Sequence, residues 1–270
     1  MSAPAAVETA VQPDADTAAY VLRLGDDALV LGQRLCEWAA RSPQLEEDVA
    51  LLNLALDLLG QARSLLSRAG QLAGPVDGPD GPRVRDEDDL AFLRHEREFT
   101  NALLVEVENG DFGQTMARQL LVSAWQLPLW SALCASTDEV LAAVAGKAVK
   151  EVDYHLDHAR TWVVRLGDGT PESHRRMQAG LEEVWPYAGE LFEPDALTGR
   201  LVARGVAADP AALEPQWRAT VEQVLAEAGL QVPQTTWRPT GGRSGRHLTS
   251  FGYLLAELQH LHRAHPGATW

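Results

Sequence analysis

An all-α bundle is the fold this sequence predicts, and three observations carry the prediction. Long stretches such as EEDVALLNLALDLLGQARSLL space leucine and valine three and four residues apart, the period of a helix packed on one side. No apolar–polar alternation is long enough to support a strand, and no internal repeat is present. Apolar residues make up 46% of the 270 positions, which is ample for a core in one large domain.

The segment 46–66 is the organising element. Leu45, Val49, Leu52, Leu56, Leu59 and Leu66 follow the seam spacing of a bundle helix, with Arg63 standing where another member would fall. Leu51, Leu54, Leu58, Leu65 and Leu72 form a second apolar stripe beside it. A strip about 100° wide remains at 3.6 residues per turn. It carries Asn53, Asp57, Gly60, Gln61 and Ser64. Short polar side chains of this kind suit a polar lane inside a bundle or a face that receives another subunit.

The other elements follow from periodicity and capping residues. A first helix is expected over 17–40, with Val21, Leu24, Ala28, Leu31, Leu35 and Trp38 on one face and Asp26, Gln33 and Glu37 opposite. Arg41, Ser42 and Pro43 make a turn so short that the first two helices must be antiparallel neighbours. Glycine and proline make 70–85 a long loop. A charged third helix is expected over 86–108, and a fourth over 114–135 with Pro128 inside it. Further helices are expected over 137–166, 170–186, 210–227 and 249–263, with a shorter one between 193 and 210. The stretch 231–246 reads as extended or loop, and 1–18 as a disordered leader before a single domain over 19–270.

Composition excludes several classes of function. The formal charge of −15 opposes binding to nucleic acid or to an anionic membrane surface. Cys36 and Cys134 belong to no metal or redox motif and read as small apolar residues in a reducing cytosol. The leader lacks the basic and apolar regions of a signal peptide, and no apolar run approaches the ~20 residues of a membrane span. The expectation is a cytoplasmic protein.

Carboxylates inside a helical bundle raise the question of metal. Ferritin-like di-iron proteins use one Glu from each of two helices and a Glu-x-x-His pair from each of two others. The matching pair in the organising helix is Asp57 with Gly60, and glycine cannot ligate a metal. In the later cluster Glu151, Asp153, Tyr154, His155 and His158, the required spacing from Glu151 falls on Tyr154. Pairing of Glu151, Asp153 and His155 with neighbouring helices is the favoured reading. The one Glu-x-x-His match, Glu257 with His260, lies on the polar side of the last helix. His95, Glu96, Glu98, Glu106 and Glu108 mix with Arg94 and Arg97 as a salt-bridged face. Trp185, Trp217 and Trp237 read as core or interface anchors.

The ordered blocks LRLGDDALVLGQRLCEW, EEDVALLNLALDLLGQAR, DEDDLAFLRHEREFTNALLVE, NGDFGQTMARQ, AVKEVDYHLDHARTWVVRLGDGT and LLAELQHLHRAHPGATW resemble the structural C subunits of bacterial phenylacetyl-CoA epoxidases, from Tyr20 to Trp270. The resemblance implies a ferritin-like helical bundle with additional C-terminal helices. It implies a non-catalytic subunit with no cofactor of its own, without catalytic, cofactor-binding or metal-ligating residues. The implied partners are a di-iron A subunit that binds the CoA thioester, a small B subunit, and a reductase with FAD and an iron–sulfur centre that draws electrons from NADPH. The implied reaction of the whole complex is epoxidation of the phenylacetyl-CoA ring with O₂, within aerobic phenylacetate degradation. In such a subunit the degenerate site of Asp57, Gly60, Gln61, Glu151, Tyr154 and His155 is expected to be filled by mutual pairing. Two alternatives stay open. The chain is itself an iron-binding oxygenase or ferroxidase built on Glu151, His155 and carboxylates of the third helix, or it is a helical scaffold unrelated to oxygen chemistry.

Overall fold

Aspartate and threonine residues open most of the helices, each side chain accepting a hydrogen bond from a first-turn amide that the helix leaves unpaired. Asp14 caps α1 (Ala15–Cys36), Asp111 caps α4 (Phe112–Leu133) and Asp138 caps α5 (Glu139–Gly167). Thr170 caps α6 (Pro171–Val184), with Pro171 in the first turn. Asp195 and Asp209 cap α7 (Ala196–Ala203) and α8 (Pro210–Glu227). The remaining helices are α2 (Leu45–Ala73), the single turn α3 (Leu103–Glu106) and α9 (Phe251–Ala264). The computed structural model describes residues 12–78 and 81–268, so positions 1–11 of the expected leader lie outside the described residues. Positions 15–18 of that leader are already helical in α1.

Two antiparallel hairpins of long helices, α1 with α2 and α4 with α5, form the bundle. Close packing of the first pair depends on Gly25, where a Cβ would come within 2.8 Å of Leu66. Helices α6 and α8 cover α4 and α5, and the Trp217 indole donates to the Leu121 carbonyl at 2.9 Å, fixing α8 on α4. Pro128 is accommodated inside α4, which runs unbroken to Leu133.

Expectations are corrected in three parts of the chain. The first concerns the loop over 70–85: α2 continues to Ala73, and β1 (Pro75–Gly78) pairs antiparallel with β2 (Gly81–Val84). The second concerns α2. The stripe of Leu51, Leu54, Leu58 and Leu65 is fully buried against α1, whereas Leu45, Val49 and Leu56 of the presumed seam face outward. Helix α2 is also long and apolar enough to cross a bilayer by length and composition, contrary to the expectation that no run would qualify. One of its faces is occupied by the protein core.

The third correction concerns 86–108, which is not one helix. A π-helical turn at Asp89–Leu93, a 3₁₀ turn at Glu96–Glu98 and α3 are separated by extended backbone at Arg94, Phe99 and Ala102. The helical hydrogen bonds are replaced by carboxylates from elsewhere in the chain. Asp26 accepts from the Thr100 amide at 2.9 Å, Asp27 from Ala102 at 2.8 Å, and Glu190 from Leu103 at 2.7 Å. Charge-assisted bonds of this kind outweigh the few tenths of a kcal/mol per residue that separate helix propensities.

Candidate functional site

Helices α2 and α5 lie antiparallel and meet through polar side chains along one seam. At one end His158 Nε2 lies 2.8 Å from Glu47, and both side chains are nearly buried. In the middle His155 Nε2 lies 3.1 Å from Asp57. One turn along, Gln61 donates to Glu151 at 2.9 Å, and Lys147 reaches the other oxygen of Glu151 at 2.9 Å. At the far end Arg68 pairs at 2.7 Å with Asp138, the residue that caps α5.

The structure thus brings Asp57, Gln61, Glu151 and His155 together across two helices. Tyr154 is 53% exposed, its ring 6.4 Å from that of His158, and Asp153 is exposed and does not make the expected pairing with a neighbouring helix. Gly60 leaves open space, its nearest neighbour for an added Cβ being Lys147 Nζ at 3.9 Å. The carboxylates of the 86–108 segment do not approach Glu151 and His155. Glu106 pairs instead with His247 from the opposite end of the chain, and Glu96 and Glu98 are exposed.

Each seam carboxylate already has a cationic or hydrogen-bonding partner, and the interior between the hairpins is filled by Leu58, Ala62, Leu120, Ala148 and Val152. Among the described residues no group of three or more His, Cys, Asp or Glu side chains is placed to hold a metal ion. What the arrangement can do chemically is lock two helices in register. Opposed charges and amides tolerate only one alignment, whereas leucines tolerate several.

His155 gives the seam a pH dependence. Its side chain is 1% exposed, and burial pushes its pKa below the ordinary value against the opposing effect of Asp57. A group depressed in this way contributes stability above its unfolded value, about 6.5, and that contribution is lost as the pH falls through the depressed folded value. His155 is therefore expected to titrate below pH ~6.5 by NMR, with stability falling over the same range. A His155→Gln variant should lose that component of the acid limb.

The most deeply buried charges lie elsewhere, in a cluster that sequence reasoning missed. Asp26 and Arg94 form an ion pair with neither side chain appreciably exposed, and the Arg94 guanidinium lies 4.0 Å over the Phe99 ring. Asp27 pairs with Arg243 at 2.8 Å, and burial holds the Asp27 carboxyl above the usual carboxylate range against that cation. Glu106 pairs with His247 at 2.7 Å, with no exposed surface on either side chain. Glu190 accepts from the amides of Leu103, Gly241 and Gly242. Gly242 passes so close to the Asn101 carbonyl that a side chain there has no room. The cluster ties the broken 86–108 segment and the 231–250 segment to α1. The signal available was the tandem Asp26-Asp27 in an otherwise apolar helix; periodicity alone assigns Asp26 to the outer face, and both are buried. Trp217 is also buried, while Trp237 stays exposed.

Comparison with known proteins places the chain. The phenylacetic acid catabolic protein family matches residues 1–270. The C subunit of the 1,2-phenylacetyl-CoA epoxidase of Escherichia coli (strain K12) is 48% identical over 252 residues, covering 93% of this chain and 98% of that protein. The chain belongs to the phenylacetic acid catabolic protein family.

Proposed function

We propose that this chain is the structural, non-catalytic subunit of a phenylacetyl-CoA 1,2-epoxidase, acting in the cytoplasm in aerobic phenylacetate degradation. The observation that carries the reading is the 48% identity to an epoxidase C subunit across 98% of that protein's length. The chain itself takes no cofactor. The di-iron centre and the CoA thioester belong to an A-type partner, the flavin and iron–sulfur centre to a reductase, and the assembly also includes a small B subunit.

The physical contribution of such a subunit is rigidity. A di-iron centre works only when its ligands are held to fractions of an ångström, and that requires a stiff surround. The register-locking seam and the buried ionic cluster give this bundle one well-defined shape to pack against. Co-expression with a di-iron A subunit tests the reading. The two chains should co-elute, and the complex with its reductase should epoxidise phenylacetyl-CoA using NADPH and O₂. Turnover by this chain with reductase alone would overturn it.

A further inference from the structure

Helix α2 carries an apolar face that nothing in the described fold covers. Leu45, Val49 and Leu56 are 76%, 52% and 64% exposed, and Leu52 and Leu59 lie half-buried between and beyond them. Their spacing of four and three residues makes a straight stripe about 21 Å long at 1.5 Å per residue. Other large exposed apolar residues are Leu93, Trp237, and, eight residues apart on α9, Tyr253 and Leu261. A monomeric protein seldom leaves a contiguous row of this kind in water, and a row with heptad spacing matches the side of another helix.

The surroundings specify the occupant further. The N-terminal end of the stripe is flanked by Glu46 and Asp48, and the other end by two largely exposed cations already paired within the chain, Arg63 with Glu87 and Lys147 with Glu151. Beyond Leu59 the surface drops at Gly60 and Ser64, where a partner backbone can come close.

We propose that this stripe is the docking surface for a helix of a second, non-identical helical-bundle subunit. The incoming helix lies along α2, with basic side chains over Glu46 and Asp48. The proposal rests on the reading above, since a lettered subunit of a multisubunit enzyme implies partner chains other than copies of itself. It places the register-locking seam directly beside the interface: Asp57, half-buried next to the stripe, holds His155 at 3.1 Å and keeps α2 aligned for docking.

The test compares variants of the full chain co-expressed with the di-iron A subunit. A triple L45S/V49S/L56S variant changes only outward-facing side chains and should keep wild-type helicity by circular dichroism. Its affinity for the A subunit should fall at least ~100-fold, as expected when interface anchors are removed. W237S and Y253S, on other faces, should bind as wild type. Should the triple variant lose helicity, the single variants L45S and L56S carry the test, each weakening binding about tenfold. Undiminished binding by a folded triple variant, beside wild-type binding, would overturn the surface while leaving the subunit reading intact. A wild-type homodimer that the triple variant dissociates would make the occupant a second copy and overturn the proposal. No association of wild-type chain with the A subunit would overturn both.

Discussion

Glu106→Ala is expected to lower the stability of the fold by about 3–5 kcal/mol, the cost typical of removing one partner from a buried ion pair. The carboxylate accepts from His247 Nδ1 at 2.7 Å, from Asn101 Nδ2 at 2.7 Å and from the Leu248 amide at 2.6 Å. The other ring nitrogen of His247 donates to the Phe99 carbonyl at 3.0 Å. Both imidazole nitrogens therefore face acceptors, which binds a proton into the pair. Truncation leaves the His247 ring nitrogen, an amide side chain and a backbone amide without their acceptor. Against a typical total of 5–15 kcal/mol this is a large fraction. It should appear in urea as a lower midpoint with an unchanged slope.

The same pair sets a pH dependence of opposite sign to that of the seam. Burial alone would lower the His247 pKa, but the Glu106 carboxylate outweighs it and the pKa stands raised. A raised group stabilises fully below its unfolded value, about 6.5, and that contribution fades as the pH rises through the raised folded value. Wild-type protein should lose this increment as the pH rises above about 6.5 and through the raised folded value, and Glu106→Ala should not. Equal alkaline limbs in the two proteins would contradict the assignment.

Asp26→Ala should be comparably costly, again about 3–5 kcal/mol. It strands Arg94, which also donates to the Glu98 carbonyl at 2.9 Å, and it removes the acceptor for both the amide and hydroxyl of Thr100. Replacing the pair together, Asp26→Leu with Arg94→Met, should recover part of the loss, because apolar substitutes for a buried ion pair are often neutral. Recovery should be incomplete by about 1–3 kcal/mol, the cost of leaving the Thr100 amide unpaired. A double-mutant cycle measures the coupling directly, and additive losses would show that Asp26 and Arg94 act separately.

These two clusters mark the boundary of what the sequence discloses. Local signals sufficed where local forces decide the structure: Thr137-Asp138-Glu139 and Gly167 bracket α5 within two residues, and Thr170-Pro171 opens α6 where expected. Local signals failed for 86–108 because the groups that unwind it, Asp26, Asp27 and Glu190, lie about 75 to 90 residues away in the chain. Periodicity found both leucine stripes of α2 but could not rank them, since either could face a core. What separates them is the position of α1, a tertiary fact. In the candidate site, spacing isolated the α2 and α5 residues that the structure pairs. It could not foresee that Tyr154 turns outward, or that Glu47 and His158 extend the seam by nearly three turns of α2.

Iron content by elemental analysis, on this chain purified alone and again in complex with an A subunit, separates a structural subunit from an oxygenase. Iron near zero is expected for the isolated chain and a di-iron complement in the complex, because the seam residues are consumed by pairing and the bundle interior is apolar. About two irons per isolated chain, the complement of a ferritin-like centre, would contradict it and place the oxygen chemistry in this subunit.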